Sequence, residues 1–142
     1  DYLRLYVPKD ARLINATPHE VPADWMLLKQ SVPAQVDTLE QINGAQGYGT
    51  LLVVPNGQTV ETTFDFALPA SALTSDGKIF TYHLYVQKQA GTNSTPFNLT
   101  IELPSGAEVL DASASWKVNG SIVQAVISLD EDIAFKLVFQ RR

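Results

Sequence analysis

Cysteine is absent from this sequence, and with it go disulfide frameworks, thiolate catalysis and thiolate-held metals. Histidine is nearly absent: His19 and His83 are the only two. A histidine-based metal site wants several ligands at fixed spacing, so both are read as exposed or hydrogen-bonded side chains. Basic clusters are missing beyond the terminal Arg141-Arg142. Residues 1–71 carry four basic against eight acidic side chains, and residues 72–142 carry six against seven, for a net charge of −5. A nucleic-acid binder draws its affinity from releasing counterions as it neutralises phosphates, and nothing here supplies that, so no nucleic-acid partner is expected. No basic amphipathic stretch is present to lie on a membrane surface. No apolar run approaches the roughly 18–20 residues of a membrane span. Helical patterning is lacking too, since no segment of ten or more residues repeats its apolar positions at a helical period.

What is present is alternation. A chain of 142 residues fits one domain and can bury roughly 70% of its unfolded surface. Its 45% hydrophobic and 18% charged residues are ordinary for a folded domain. Leu3, Leu5 and Val7 face one way and Tyr2, Arg4 and Tyr6 the other. Within 59–68, Val60, Thr62, Phe64, Phe66 and Leu68 alternate with Glu61, Thr63, Asp65 and Ala67. Within 79–88, Phe80, Tyr82, Leu84 and Val86 alternate with Ile79, Thr81, His83, Tyr85 and Gln87. Phe97, Leu99, Ile101 and Leu103 oppose Asn98, Thr100 and Glu102; Ile133, Phe135, Leu137 and Phe139 oppose Ala134, Lys136, Val138 and Gln140. Each pattern is that of a strand with one buried face.

Turn residues punctuate these segments. Asn56-Gly57 follows Leu51–Pro55, and Asn119-Gly120 separates Trp116–Val118 from Ser121–Leu129, each suited to a two-residue hairpin loop. Asp76-Gly77 and Pro104-Ser105-Gly106 act likewise. Residues 17–33 contain Pro18, Pro22 and Pro33 and read as a long loop or irregular edge. About nine to eleven strands are expected, without helices. That pattern predicts an all-β chain: a single antiparallel β-sandwich over residues 1–142, immunoglobulin-like in the broad sense.

Four stretches carry a resemblance: Tyr2-Leu-Arg-Leu-Tyr-Val-Pro-Lys9, Gly49-Thr-Leu-Leu-Val-Val-Pro55, Thr63-Phe-Asp-Phe-Ala-Leu-Pro69 and Val86-Gln-Lys-Gln-Ala-Gly-Thr92. In order and spacing the chain resembles, over roughly residues 1–110, the C-terminal region of a bacterial family known as domain of unknown function 4012. Gln87–Thr92 is the most specific part. The family looks like membrane-anchored envelope proteins with a large exported portion. The resemblance therefore implies an extracytoplasmic, envelope-attached module whose partners are other domains of the same chain or envelope components. It brings no established activity. The chain opens at Asp1 directly into a strand-like segment, so the expectation is a fragment of a larger protein, reaching the membrane only through an anchor upstream.

Motifs that could carry chemistry are weak. Ser75-Asp76-Gly77-Lys78 matches a Ser-x-x-Lys pattern, but that pair works from one helical turn and Asp-Gly is turn chemistry. Gly44, Gly47 and Gly49 precede no Lys and no helix, as a phosphate loop requires; they are read as a turn or bulge leading into Thr50–Val54. Asp130-Glu131-Asp132 offers carboxylate oxygens to calcium, yet connectors between strands need solvated residues in any case. Glu61 and Asp65 share a strand face about 13 Å apart, too far for a carboxylate pair. Four Asn-x-Ser/Thr sequons occur, at Asn15, Asn93, Asn98 and Asn119. No cofactor motif is present.

The aromatics separate a binding module from a structural one. Trp116 alternates with Ala112, Ala114 and Val118, against Ser113, Ser115 and Lys117, and is assigned to the core. Trp25 follows the prolines with its side undetermined. Tyr48 and Tyr85, with Tyr2 and Tyr6, fall on polar-leaning faces. Trp25, Tyr48, Tyr85, Gln87, Lys88 and Gln89 are thus the candidate ligand or partner surface. In Gln87–Thr92 the structural reading, side chains bonding loop backbone, is preferred to a contact with a partner. The chain is read as a non-catalytic structural or interaction module. The alternatives are a ligand-binding module for cell-surface polysaccharide or peptide, and a polysaccharide-modifying enzyme.

Overall fold

The computed structural model describes residues 1–113 and 116–141, and most of the alternating segments become strands. Twelve form among the described residues: β1 (Tyr2–Pro8), β2 (Arg12–Ala16), β3 (Asp37–Ile42), β4 (Ala45–Leu51), β5 (Phe64–Ala67), β6 (Leu73–Asp76), β7 (Ile79–Val86), β8 (Thr95–Glu102), β9 (Ala107–Ala112), β10 (Lys117–Asn119), β11 (Ile122–Leu129) and β12 (Ile133–Arg141). Helical structure among the described residues is limited to two 3-10 turns, Ala23–Trp25 and Ala70–Ala72. The chain is all-β with antiparallel sheets, and no sheet among the described residues closes into a barrel. Among the same residues no helix is long and apolar enough to cross a membrane. By contact the chain divides into two units, Asp1–Pro69 and Ala70–Arg142.

In the second unit the strand orders are β6-β7-β12-β9 and β10-β11-β8. β12 is central. It pairs with β7 in continuous register from Ile133↔Val86 to Gln140↔Ile79, and with β9 across a shift that leaves Leu110 as the extra residue of a bulge. Alternation sends Phe135, Leu137 and Phe139 to one side, where they are 2%, 0% and 5% exposed. Leu103 and Val123, beyond β8 and on β11, join Leu137 and Phe139 in one core, with Phe80, Tyr82, Ile101, Val109 and Trp116 packed against it. Each buried side chain of this size contributes about 1.5–3 kcal/mol. Phe97 of β8 stacks on Phe135 of β12 at 6.2 Å, linking the two sheets, and Trp116, just before β10, meets Phe135 edge-on at 5.3 Å. Trp116 is therefore at the core as expected. Its Nε1 is buried without a hydrogen-bond partner among the described residues. The facing assigned to Ala114 and Ser115 lies outside the described residues. Val118, expected inside, is half-exposed: it is the middle residue of a three-residue edge strand and pairs with buried Val123.

The first unit holds β1-β4-β3 and the pair β2-β5. Tyr48, on β4, is 8% exposed and tilts against Phe66 of β5 at 5.4 Å. Gln46 and Thr50 share its face and are buried with their polar atoms satisfied. Gln46 Nε2 donates to the carbonyls of Leu39 (2.6 Å) and Gly47 (2.9 Å), where β3 bulges against β4. Thr50 Oγ1 donates to the Gln35 carbonyl at 2.8 Å.

Several turns and ends differ from expectation. The β3–β4 loop is Asn43-Gly44, both residues at positive φ (50° and 79°), the conformation a type I′ hairpin demands. Gly47 and Gly49 lie inside β4, not in a turn ahead of a Thr50–Val54 strand. Asn56-Gly57 makes a turn, Gln58 N–H donating to the Pro55 carbonyl at 3.0 Å, but Leu52–Val60 flank it without a ladder. Of the 59–68 segment only β5 is paired. Burial still alternates from Val60 to Phe66, so facing was right there where backbone pairing was not; past the end of β5 it fails, and Leu68, expected inside, is 49% exposed. In the β10–β11 hairpin the loop residues are Gly120-Ser121, one place later than expected, because Asn119 pairs with Ile122.

Gly47 and Gly49 are there for the tyrosines of β1. Arg4 pairs with Gly49 and Tyr6 with Gly47. The Tyr2 ring crosses β4 to donate from its hydroxyl to Asp37 Oδ2 on β3 at 2.7 Å. A Cβ on Gly49 would stand 2.3 Å from the Tyr2 hydroxyl oxygen, and one on Gly47 3.0 Å from Tyr6 Cε1. Tyr2 is 40% exposed, so it can swing away from a new methyl without moving backbone. Gly49→Ala is expected to lower stability by about 1 kcal/mol, the low end of overpacking, in urea unfolding. In a Tyr2→Ala background the same change should be neutral or stabilising; an equal loss in both backgrounds would remove the ring from the explanation.

Candidate functional site

The sequence-predicted surface residues fall in both units, and their surroundings differ. Tyr48 does not belong to a surface at all. Gln46 and Thr50, which share its face, made that face look polar-leaning, but both are buried with their polar atoms bonded, and Tyr48 points to Phe66. Trp25 is exposed in the first unit at 57%. Tyr85 is exposed in the second at 59%, close in sequence to Gln87, Lys88 and Gln89.

In the second unit one carboxylate organises the region. Asp132 sits just before β12, and the Ile133↔Val86 pairing brings it beside the end of β7. Its Oδ2 accepts from the Tyr85 hydroxyl at 2.6 Å and its Oδ1 from the Lys88 N–H at 2.9 Å. Lys88 Nζ turns back on its own loop, donating to the Thr92 carbonyl at 2.6 Å, Thr92 Oγ1 at 3.1 Å and the Gln89 carbonyl at 3.2 Å. Thr92 Oγ1 donates to the Gln89 carbonyl at 2.7 Å. The ammonium thus closes a turn whose carbonyls are bonded from within the loop. Asp132 appeared in the sequence only as part of the Asp130-Glu131-Asp132 cluster; its role depends on a register between strands 47 residues apart.

In the first unit a cleft of about 230 Å³ opens between the proline-rich loop and the segment after β4, lined by His19, Glu20, Pro22, Trp25, Val53, Pro55, Gln58 and Val60. Its wall continues the β2–β5 pairing. The ladder runs to Ala16↔Phe64, and beyond it the Thr17 N–H still donates to the Thr63 carbonyl at 3.0 Å. Side chains add to it. Thr17 Oγ1 accepts from the Thr63 N–H at 2.8 Å, Thr62 Oγ1 donates to the Thr17 carbonyl at 2.9 Å, and His19 Nε2 donates to the Glu61 carbonyl at 2.7 Å. His19 is thereby fixed on the cleft's edge as a structural donor. Apolar walls, an exposed indole and the carboxylate and amide of Glu20 and Gln58 suit a small, uncharged polar ligand with one apolar face. A wider depression of about 650 Å³ lies in the second unit where the β8–β9 and β10–β11 turns meet, lined in part by Glu102, Ser105, Glu108 and Ser121. Glu108 there accepts from Gln140 Nε2 at 3.0 Å.

The remaining candidates resolve simply. Ser75 and Lys78 belong to the β6–β7 hairpin, with Gly77-Lys78 as its loop. His83 is exposed opposite Lys136 in the β7–β12 ladder. Glu61 and Asp65 are exposed. Among the described residues no group of three or more His, Cys, Asp or Glu is placed to hold a metal ion. Sequence reasoning missed Leu27 and Leu28, which are 100% and 82% exposed. The signal was available: a Trp-Met-Leu-Leu run inside a proline-rich loop has no strand on which to be buried. Compared with protein-family models, curated proteins and solved structures, the chain finds no match.

The Asp132 hub makes stability depend on pH. The Tyr85 hydroxyl and then the Lys88 N–H hold the Asp132 carboxyl below its ordinary 3.8. The hydrogen bond to Asp132, reinforced by desolvation and the nearby charge, raises Tyr85 above its ordinary 10.0. A carboxyl lowered by folding stabilises fully above its ordinary value and loses that contribution as pH falls through the folded one; a phenol raised by folding stabilises below 10.0 and loses it as pH rises further. The Tm difference between the native chain and Asp132→Asn should therefore be constant from about pH 5 to 9 and shrink at both extremes. A difference that persists undiminished at about pH 2 would exclude the charged hub.

Proposed function

We propose that the chain is a non-catalytic structural or interaction module built on the antiparallel β-sandwich plan, immunoglobulin-like in the broad sense. In this reading it belongs to a bacterial extracytoplasmic envelope protein of the kind it resembles, the domain of unknown function 4012 family. The two sheets of the second unit, meeting through Val123, Leu137 and the Phe97–Phe135 pair, support the sandwich plan. The observation that carries the structural role is the self-contained bonding of Lys88–Thr92. Its most specific residues spend their donors on their own loop, as a scaffold does. Lys88→Met should lower stability by up to about 1 kcal/mol in thermal or urea unfolding while leaving recovery of envelope components in pull-downs unchanged. Unchanged stability with lost recovery would make the segment a partner contact instead.

The Trp25 cleft favours a second reading, a ligand-binding module for a surface saccharide. An indole offers an apolar platform to a sugar ring, and Glu20 and Gln58 offer acceptors and donors to its hydroxyls. Tyr48 drops out of this surface because it is buried. Titration with cell-wall oligosaccharides followed by tryptophan fluorescence should give saturable quenching that Trp25→Ala and Gln58→Ala both remove. A flat titration would leave the structural role alone.

A further inference from the structure

The loop of residues 22–31 is fastened at its base and bare at its tip. Val21 and Val32 face each other in an antiparallel bridge, each N–H donating to the other's carbonyl at 2.9 Å, and Val21 is 1% exposed. Between them the backbone makes successive tight turns. Trp25 N–H donates to the Pro22 carbonyl, Met26 N–H to that of Ala23 and Lys29 N–H to that of Met26, each at 3.1 Å. Lys29 takes φ of 52°, and its ammonium reaches back to the Asp24 carbonyl at 3.4 Å. These turns hold out three large apolar side chains: Leu27 at 100%, Leu28 at 82% and Trp25 at 57% exposed. Burying none of them serves the fold, and a cluster of this kind marks a contact surface.

We propose that this loop seats its tip in the interfacial layer of a lipid bilayer. Shape favours lipid over protein. A side chain bare on every side projects from the surface, and a flat protein face covers only one side of it, whereas acyl chains close around it. The residue types are those of the bilayer boundary: leucines for the acyl region, an indole for the headgroup level, and a lysine whose charge stays at the loop's base. Asp24 and Lys29 are the only charged residues between 22 and 31 and they cancel, so an uncharged surface is not repelled. The N–H groups of Trp25, Met26 and Lys29 are already bonded within the loop, which lowers the cost of leaving water. Because the chain carries −5 overall, attraction to anionic lipid is not part of the device. This goes beyond the scaffold role, in which the membrane is reached only through an upstream anchor, and it does not depend on the saccharide cleft, which uses neither leucine.

The test uses the full chain with phosphatidylcholine vesicles. Co-sedimentation and a blue shift of Trp25 emission are expected, with Trp116, packed on the core, as a constant background. Adding phosphatidylglycerol should not strengthen binding. Leu27→Ser/Leu28→Ser should weaken partitioning about tenfold with an unchanged melting curve, since both residues are exposed. No vesicle binding by the native chain, or equal binding by the double variant, overturns the proposal. A Leu27- and Leu28-dependent dimer in sedimentation velocity, without vesicle binding, overturns it in favour of a second copy as the occupant.

Discussion

Side chains on a strand point to opposite faces in turn, and both units follow from that constraint. It decides which residues of β12 leave water. Once Phe135, Leu137 and Phe139 share one face, that face needs a cover, and β11 and β8 present Val123, Ile101 and Phe97 toward it. The same rule works in the first unit with a different filling. On β4 it buries Gln46, Tyr48 and Thr50 and sends Gly47 and Gly49 to the other side, where emptiness is the useful property. A strand of ordinary residues there would push the Tyr2 and Tyr6 rings off the sheet, and Tyr2 would no longer reach across to Asp37. The two units thus solve the same problem in opposite ways: large residues filling a shared interior, and absent side chains making a bed for aromatics from the next strand.

Facing was therefore the legible part of the sequence. Every-other-residue patterning located β1, β7, β8 and β12 nearly to their ends, and it placed Trp116 at the core. It also read the burial of Val60–Phe66 correctly, although only β5 of that segment finds a partner strand. Pairing is a long-range property: whether Val60 has a neighbour depends on residues such as Thr17, some forty positions away. Local pattern cannot supply that. It also cannot say that Asp132 will meet Tyr85 and Lys88, since only the β7–β12 register joins them.

Other gaps were local and could have been closed. Asn43-Gly44 sits between two segments that form a hairpin, and Asn-Gly is the strongest short signal for one. The cluster Gly44, Gly47 and Gly49 drew attention as a possible loop, and this masked the strand that begins right after its first member. Tyr48 was misplaced for a different reason. Polar residues on the same face suggest exposure only when their polar atoms need water; here Gln46 and Thr50 are buried and bond to backbone carbonyls. In a strand, glycine alternating with an aromatic is better read as two faces with different fillings than as one flexible passage.

Where binding energy is still available on the surface follows from which groups already have partners. Around Gln87–Thr92 the Lys88 ammonium makes three bonds and Asp132 makes two, so a partner would have to break as much as it gained. That saturation favours a scaffold role for this turn. The loop of residues 22–31 is the reverse case. Three of its N–H groups are bonded and its base is closed, yet Leu27 is fully exposed. Contact there would displace water from apolar surface and break no existing bond, which is the condition under which burial adds directly to affinity. The turns that bond the N–H groups of Trp25, Met26 and Lys29 strengthen the point, because backbone already held in turns leaves less ordering entropy to be met on contact. The proposed contact therefore belongs at the tip carrying Trp25, Leu27 and Leu28, not at the polar turn after β7.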